Sequence, residues 1–491
     1  MTGKLPIITI LLPILGSILI PLVKFSNRKL KCIYTEALVV INSILVYLTI
    51  FTDRQVVCEV IHFTGDLSIS FVMDGLSVVF AGLVAFLWPL ATLYSFEYMK
   101  KEEHENTFFM FFVMTYGVTL GIAMAEDYIT MYCFYEFLTI VTVPLVMHTL
   151  TRDAILASRK YLYYSLGGAA FAFISLIFII YYGTTNKFVY GGVLDMAKVG
   201  DSTNVLLLIY VLAFFGFGVK AALCPFNSWL PSASVAPTPV TALLHAVAVV
   251  KSGAFAILRM TYYSFGADFL RGTWAQYVVL AATMFTIVYG CSRALKETHF
   301  KRRLAYSTIS NLSYILFGAA LMSPLGLLGA ITHLVFHALM KITSFFCAGA
   351  VMHQTDRHYV YELDGLGRKM PRVFSIFTVS SLALMGVPGF AGFISKWNLA
   401  TAAVESGNVL AYVGIGALLI SALLMAIYML SVVIRAFFPG KDFDYSTIEE
   451  VKDPNWIMIV PLMIFTIVVL VFGLYSTPFT ELFSKVSEGL F

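Results

Sequence analysis

The stretch that decides the fold reads FFGFGVKAALCPFNSWLP, residues 214–231. Its flanks are apolar, yet Lys220 sits among Gly216, Gly218 and Pro225. The glycines loosen a helix, and Pro225 removes the backbone bond to residue 221. A second stretch, LMGVPGFAGFISKW at 384–397, repeats the pattern: Gly386, Pro388, Gly389 and Gly392 cluster beside Lys396. Discontinuous helices beside a charge can line a hydrated cavity within a bilayer. Small residues alone would indicate close helix packing; a lysine beside each break points to a site.

Working outward, the 491 residues are 59% hydrophobic and only 12% charged, against roughly 25% charged in an ordinary soluble chain. That composition excludes a soluble enzyme, a disordered chain and a nucleic-acid binder. The expected fold is all-α, a polytopic membrane protein of about fourteen spans. The apolar segments are 5–23, 32–51, 72–95, 107–125, 128–149, 160–183, 204–230, 240–263, 274–292, 303–322, 325–352, 373–403, 407–437 and 455–476. Each meets the length of about 20 residues that a span needs. The runs are continuous rather than alternating, so no β-barrel is expected. The first 25 residues read as a permanent span, not a cleaved leader. The six cysteines form no CxxC pair, and neither a disulfide framework nor an iron–sulfur or zinc site is expected.

Basic residues set the orientation. Loops after odd-numbered spans hold twenty-one Lys and Arg; the other loops and the termini hold six. The odd loops should be cytoplasmic and both termini outside. Five basic residues remain inside spans: Lys220, Lys251, Arg259, Lys341 and Lys396. Arg259 lies near a helix end and is expected to snorkel to the interface. The four lysines are harder to place. One at mid-bilayer costs roughly 2.5–3.5 kcal/mol. Four would cost on the order of 10 kcal/mol, comparable to the whole stability of a domain. Either they form buried ion pairs or they have a function.

Glu136, central in the fifth span, is the acidic counterpart. Asp74 and Glu97 lie near opposite ends of the third span, where interfacial roles are expected. His333, His337 and Lys341 stand at i, i+4 and i+8 in the eleventh span. That spacing drifts about 40° per step, so they share one face and form a candidate proton relay. A haem or zinc site on the two histidines is the rival reading, but no HExxH or carboxylate neighbour accompanies them. His245 and Lys251 share the eighth span. Lys220 and Lys396 lie five spans apart. A five-span repeat, spans four to eight and nine to thirteen, would have to be inverted in the membrane. The implied divisions are 1–106, 107–263, 264–437 and 438–491.

Residues 220–259, KAALCPFNSWLPSASVAPTPVTALLHAVAVVKSGAFAILR, closely resemble the signature of antiporter-like subunits. So do HLVFHALMKITSFFCAGAV (333–351) and PGFAGFISKW (388–397). Such subunits occur in respiratory complex I, Mrp-type cation/proton antiporters and energy-converting membrane-bound hydrogenases. The resemblance implies fourteen helices, two inverted five-helix repeats with helices seven and twelve broken, and a proton-channel role. It matches Glu136 to the glutamate of helix five, Lys220 to the lysine of helix seven, and Lys251 to the connecting lysine of helix eight. His333, His337 and Lys341 match the relay on helix eleven, and Lys396 the terminal lysine of helix twelve. Cys224 and Asn227 depart from the Gln and His of many relatives.

The expected function is therefore proton translocation with no catalytic residue in this chain. Glu136 and Lys220 would form a switchable ion pair. Opening it would strip Lys220 of its charge stabilisation and send a proton by way of Lys251 and His245 toward His337, Lys341 and Lys396. Expected partners are other membrane subunits of a hydrogenase, Mrp or complex I-like assembly, with H⁺ and in an antiporter Na⁺, in the cytoplasmic membrane of a prokaryote. No cofactor is expected. A sodium site would need a cluster of oxygen ligands, which Glu136 does not evidently supply. The short tail after span fourteen argues against the largest antiporter-like subunits of complex I or Mrp. Lys396, in place of a glutamate, argues against the middle complex I subunit. A D-type Mrp subunit or a hydrogenase homologue remains. Residues 245–259 and 388–397 lean to the hydrogenase group. A quinone- or haem-binding oxidoreductase subunit is a further alternative, though no GxGxxG, GxxxxGK[ST] or cysteine cluster supports it. An inactive scaffold is another, which the retained charged set opposes.

Overall fold

A computed structural model describes residues 3–52, 54–65 and 67–490. Its helices of nine residues or more are numbered here in chain order. They are α1 Leu5–Leu22, α2 Arg28–Thr52, α3 Gly75–Tyr98, α4 Glu105–Ala123, α5 Tyr128–Val146 and α6 Arg152–Tyr182. Then follow α7 Thr203–Lys220, α8 Thr238–Ala246, α9 Val249–Arg259, α10 Trp274–Lys296, α11 Phe300–Ala320 and α12 Pro324–Thr355. The last are α13 Pro371–Met385, α14 Ala391–Glu405, α15 Val409–Phe437, α16 Trp456–Leu474 and α17 Thr477–Ser487.

Among the described residues, twelve helical stretches are long and apolar enough to cross a membrane. Two of the fourteen expected segments fall outside that set. Segment 303–322 is α11, whose first turn is diluted by Lys301, Arg302 and Arg303 and whose interior carries Ser307, Ser310, Asn311 and Ser313. Segment 373–403 is not one helix but two of fifteen residues, α13 and α14. Both are too short to cross alone, since a helix rises 1.5 Å per residue.

Tertiary burial sorts the apolar helices more sharply than composition does. The apolar cores of α12 and of the Thr238–Phe265 stretch are wholly buried, whereas those of α6, α15 and α16 leave most of their residues on the outer surface. The central α12 packs against α8, α11, α13, α14 and α16. This inner helix carries His333, His337 and Lys341, and all three are fully buried.

The breaks fall where charge is placed, though not by the expected cause at the first. α7 runs through Gly216 and Gly218 without interruption and ends on Lys220 itself. The glycines do not loosen it. Gly216 faces Gly168 of α6 so closely that a Cβ on either would strike the other's carbonyl oxygen. The chain then turns through 221–228, with a cis Cys224–Pro225 bond, into the short helix Trp229–Ser232. At the second break Gly386 (φ +87°) and Gly389 (φ +90°) take the left-handed backbone that glycine allows. A third break lies between α8 and α9, at Val247–Ala248, and sets His245 and Lys251 on separate helices.

A two-stranded antiparallel hairpin, β1 Cys58–Thr64 and β2 Leu67–Phe71, occupies a connection that sequence periodicity left unassigned. Ser70 Oγ donates to Asp127 Oδ2 at 2.7 Å, tying the hairpin to the N-cap of α5. Arg259 does not snorkel. It is fully buried and forms a two-pronged pair with Asp74, Nη1 to Oδ2 at 2.5 Å and Nη2 to Oδ1 at 2.7 Å. Asp74 in turn caps α3 through Ser77 N at 2.9 Å. An interfacial role for Asp74 thus gives way to an internal tie between two spans.

Candidate functional site

Each intramembrane lysine is held by neutral acceptors. Among the described residues none of the four forms an ion pair with a carboxylate. Lys220, at the C-terminus of α7, donates to the Tyr135 carbonyl oxygen of α5. Its ammonium also lies 3.4 Å from the centroid of the Tyr135 ring, a cation–π geometry. Glu136 is the next residue along α5. It makes no ion pair with Lys220, and its Oε1 is buried without a partner. The expected pair is therefore open.

Lys251 of α9 reaches across to α12, with Nζ 2.6 Å from His337 Nδ1. Which of the two carries the proton is a matter of tautomer and charge state. His337 stacks on His333, centroids 5.5 Å apart and planes 10° apart. His333 Nδ1 lies 2.9 Å from Ser395 Oγ of α14, one residue before Lys396. Lys396 Nζ donates to the carbonyls of Leu384 and Met385 at 2.7 and 2.9 Å. Those are the last carbonyls of α13, where unpaired oxygens and the helix dipole favour a cation. Tyr314 of α11 links these groups: its ring stacks on His333 at 5.0 Å and lies 5.4 Å from Lys396 Nζ.

The structure separates two expected members from this line. Lys341 shares the helix face of His333 and His337 but turns away from them. Its Nζ donates to Ser307 Oγ at 2.7 Å and to the Leu304 carbonyl at 3.3 Å. His245 is fully buried with neither ring nitrogen hydrogen-bonded, and its ring lies 4.9 Å from that of Phe345. Hydrogen bonds thus join Lys251 to His337 and His333 to Ser395, ring stacking alone bridges His337 and His333, whose Nε2 atoms are buried without a partner, and Ser395 meets Lys396 only as its neighbour in the chain. Glu136 and Lys220 stand apart at one end of this line, with His245 and Lys341 beside it.

Residues 125–421 match the family described as NADH:quinone oxidoreductase/Mrp antiporter, TM. That is more than half of the chain. The chain belongs to this antiporter-like family. Residues 61–109 match a second description, NADH-Ubiquinone oxidoreductase (complex I), chain 5 N-terminus. The N subunit of the NADH-quinone oxidoreductase of Desulforudis audaxviator is 30% identical over 428 residues, covering 83% of this chain and 82% of its own length. A Na(+)/H(+) antiporter subunit of Alkalihalophilus pseudofirmus is 29% identical over 377 residues, covering 73% of this chain but 46% of that protein. The fold matches a chain of the archaeal membrane-bound sulfane sulfur reductase with a TM-score of 0.85 at 23% identity, covering 99% of this chain and 98% of that one. It also matches a chain of the Mrp complex of Dietzia sp. DQ12-45-1b, with a TM-score of 0.83 at 23% identity, over 98% of this chain and 52% of that one.

In this antiporter-like chain the residues that sequence reasoning missed are neutral. Tyr135, Ser307, Tyr314 and Ser395 each contact a member of the charged set, and Tyr428 bonds Ser307 in turn. A signal existed for two of them. Ser307 and Tyr314, seven residues apart on α11, fall on one helix face, in a helix unusually rich in hydroxyls for an apolar setting.

Proposed function

We propose that this chain is a proton-translocating subunit of a multi-subunit membrane complex, of the membrane-bound hydrogenase type or the Mrp type. The observation that carries the reading is the 2.6 Å contact of Lys251 with His337. It joins the half of the chain that holds Lys220 to the half that holds Lys396. Both members are buried groups able to exist with or without a proton. The chain then crosses the membrane fourteen times, each broken stretch counting as one crossing. Helices four to eight (107–263) and nine to thirteen (264–437) form two inverted repeats. The basic loops face the cytoplasm of a prokaryote, and both termini lie outside.

In this reading Glu136 closes on Lys220 to hold its proton and opens to release it, by way of His245 when water enters beside it. Lys251 passes the proton to His337. His333 and Ser395 deliver it to Lys396, and Lys341 exchanges with the same line. Neutral partners at every lysine suit such a path, because no fixed carboxylate pins the charge. The driving subunit supplies the opening force. The test is Lys220→Ala and Glu136→Gln in the intact complex. Proton translocation falls while assembly stays normal; normal translocation at normal assembly overturns the proposal. Sodium counter-transport by vesicles holding the complex separates the Mrp type, which exchanges Na⁺ for H⁺ with no redox module, from a redox-driven pump.

A further inference from the structure

The hydroxyls around Lys341 are used by none of the steps above. Ser307 Oγ accepts from Lys341 Nζ and from the Tyr428 hydroxyl, both at 2.7 Å. Tyr428 reaches in from α15 and is fully buried. Behind it Cys291 Sγ, Ser310 Oγ and Ser421 Oγ stand 2.9–3.1 Å from one another. The Tyr428 hydroxyl lies 3.8 Å from the sulfur. Such a cluster inside apolar helices costs stability wherever a polar group lacks a partner, and an apolar interior would do for packing alone.

A cavity of about 340 Å³ lies on the face that carries the basic loops, lined by Thr298, Arg303, Tyr361, Ser431 and Arg435. Arg303 ties this lining to the backbone of Tyr428: Nη1 donates to the Tyr428 carbonyl at 3.1 Å and to Ser431 Oγ at 2.9 Å. Ser307 is four residues further along α11, about 6 Å deeper along the helix axis. Polar groups therefore run from the surface cavity to Lys341 with a gap of about one helical turn.

We propose that this is a second proton inlet, which feeds Lys341 from the basic-loop face through Tyr428 and Ser307 without passing Glu136 or Lys220. It rests on the translocation reading above. Neutral Lys341 takes the Ser307 hydroxyl proton as Ser307 takes that of Tyr428. Tyr428 is re-protonated by water drawn in over Arg303, and the hydroxide so formed takes up a proton from the bulk at the cavity mouth, so that the net uptake is one proton from the basic-loop side. Only O–H and N–H bonds break and form, and no electrons move. The Arg303 charge disfavours a free hydronium in the cavity, so the proton passes by hydroxyl-to-hydroxyl hops. Arg303 is a positioning residue, and it holds Tyr428 and Ser431 in register.

The test uses the intact complex in vesicles. Tyr428→Phe and Ser307→Ala lower the translocation rate severalfold at unchanged assembly, and Ser307→Thr, which keeps the hydroxyl, restores it. Ser431→Cys, modified by a charged membrane-impermeant thiol reagent from the basic-loop face, lowers it likewise in an otherwise native complex. Wild-type rates in the two hydroxyl-deleting variants and after thiol modification overturn the inlet if Lys220→Ala is blocked. Wild-type rates in all of them, Lys220→Ala included, overturn the translocation reading itself. If a hydroxyl-deleting variant fails to assemble, the thiol modification decides alone.

Discussion

Lys251 Nζ lies 2.6 Å from His337 Nδ1, across the seam between α9 and α12. It is the direct side-chain hydrogen bond between titratable groups of the expected path that come from the two halves of the chain. Lys251 and His337 are both fully buried, so the contact is shielded from water and lipid alike.

That contact is the point at which the proposed path is most easily cut. Lys251→Met keeps the length of the side chain and removes the titrating group; His337→Phe keeps the ring. Removing one positioned proton-transfer group costs about 10²-fold in rate, so each variant translocates protons about two orders of magnitude more slowly. Assembly, read by co-purification of the complex, stays near normal. Rates near wild type in both would remove the seam from the path.

The Asp74–Arg259 pair is structural, and its two halves are not equivalent. Arg259 is fully buried among the rings of Phe188, Phe255 and Tyr263. Removing one partner of a buried pair costs about 3–5 kcal/mol, mostly because the other charge is stranded. Asp74→Ala strands the more deeply buried member and is the worse of the two; Arg259→Met leaves Asp74, which still caps α3 through Ser77, and is milder. Thermal unfolding of the complex in detergent ranks them. The opposite order would show that the stranded arginine finds water.

Gly216 and Gly168 bring α6 and α7 to backbone contact. Gly216→Ala introduces overpacking that costs about 1–3 kcal/mol, and Gly216→Leu costs more. Because Lys220 is one turn further along α7, the displaced helix also weakens its contact with Tyr135. The expected readout is a graded fall in thermal stability from Ala to Leu. Equal stability across the series would mean that the two helices are free to separate.

His299 sits outside the spans, at the N-cap of α11, where its Nδ1 accepts from Arg302 N. Burial, then the neighbouring Lys301, Arg302 and His358 charges against Glu297, lower its pKa to about 4 from the ordinary 6.5. Between these values the unfolded chain binds the proton and the folded chain does not. The stabilising contribution is therefore fully present above pH about 6.5 and is lost as the pH falls toward 4. His299→Asn keeps a capping side chain and removes the titration. Its stability falls less steeply over that window than the wild type, as thermal midpoints measured at several pH values would reveal. Parallel curves would place the acid sensitivity elsewhere.

Much of the membrane architecture was legible in the sequence because the bilayer imposes a length rule on apolar runs. The same rule made the charged exceptions visible: Glu136, Lys220, Lys251, His333, His337, Lys341 and Lys396 stand out because charge is scarce around them. The family followed from motifs built on those residues. What the sequence alone could not determine was who touches whom. Spacing along α12 put His333, His337 and Lys341 on one face, but whether Lys341 meets His337 or Ser307 depends on how α11 and α15 pack against that face. Glycines beside Lys220 looked like a hinge; only packing revealed that they admit α6 at backbone distance and that the helix breaks after the lysine. Arg259 looked able to snorkel, and its burial against Asp74, 185 residues earlier, carries no local signature. Burial and pairing across long separations are properties of the folded contacts, and those contacts decide which of the scarce charges are tied down and which are left to exchange a proton.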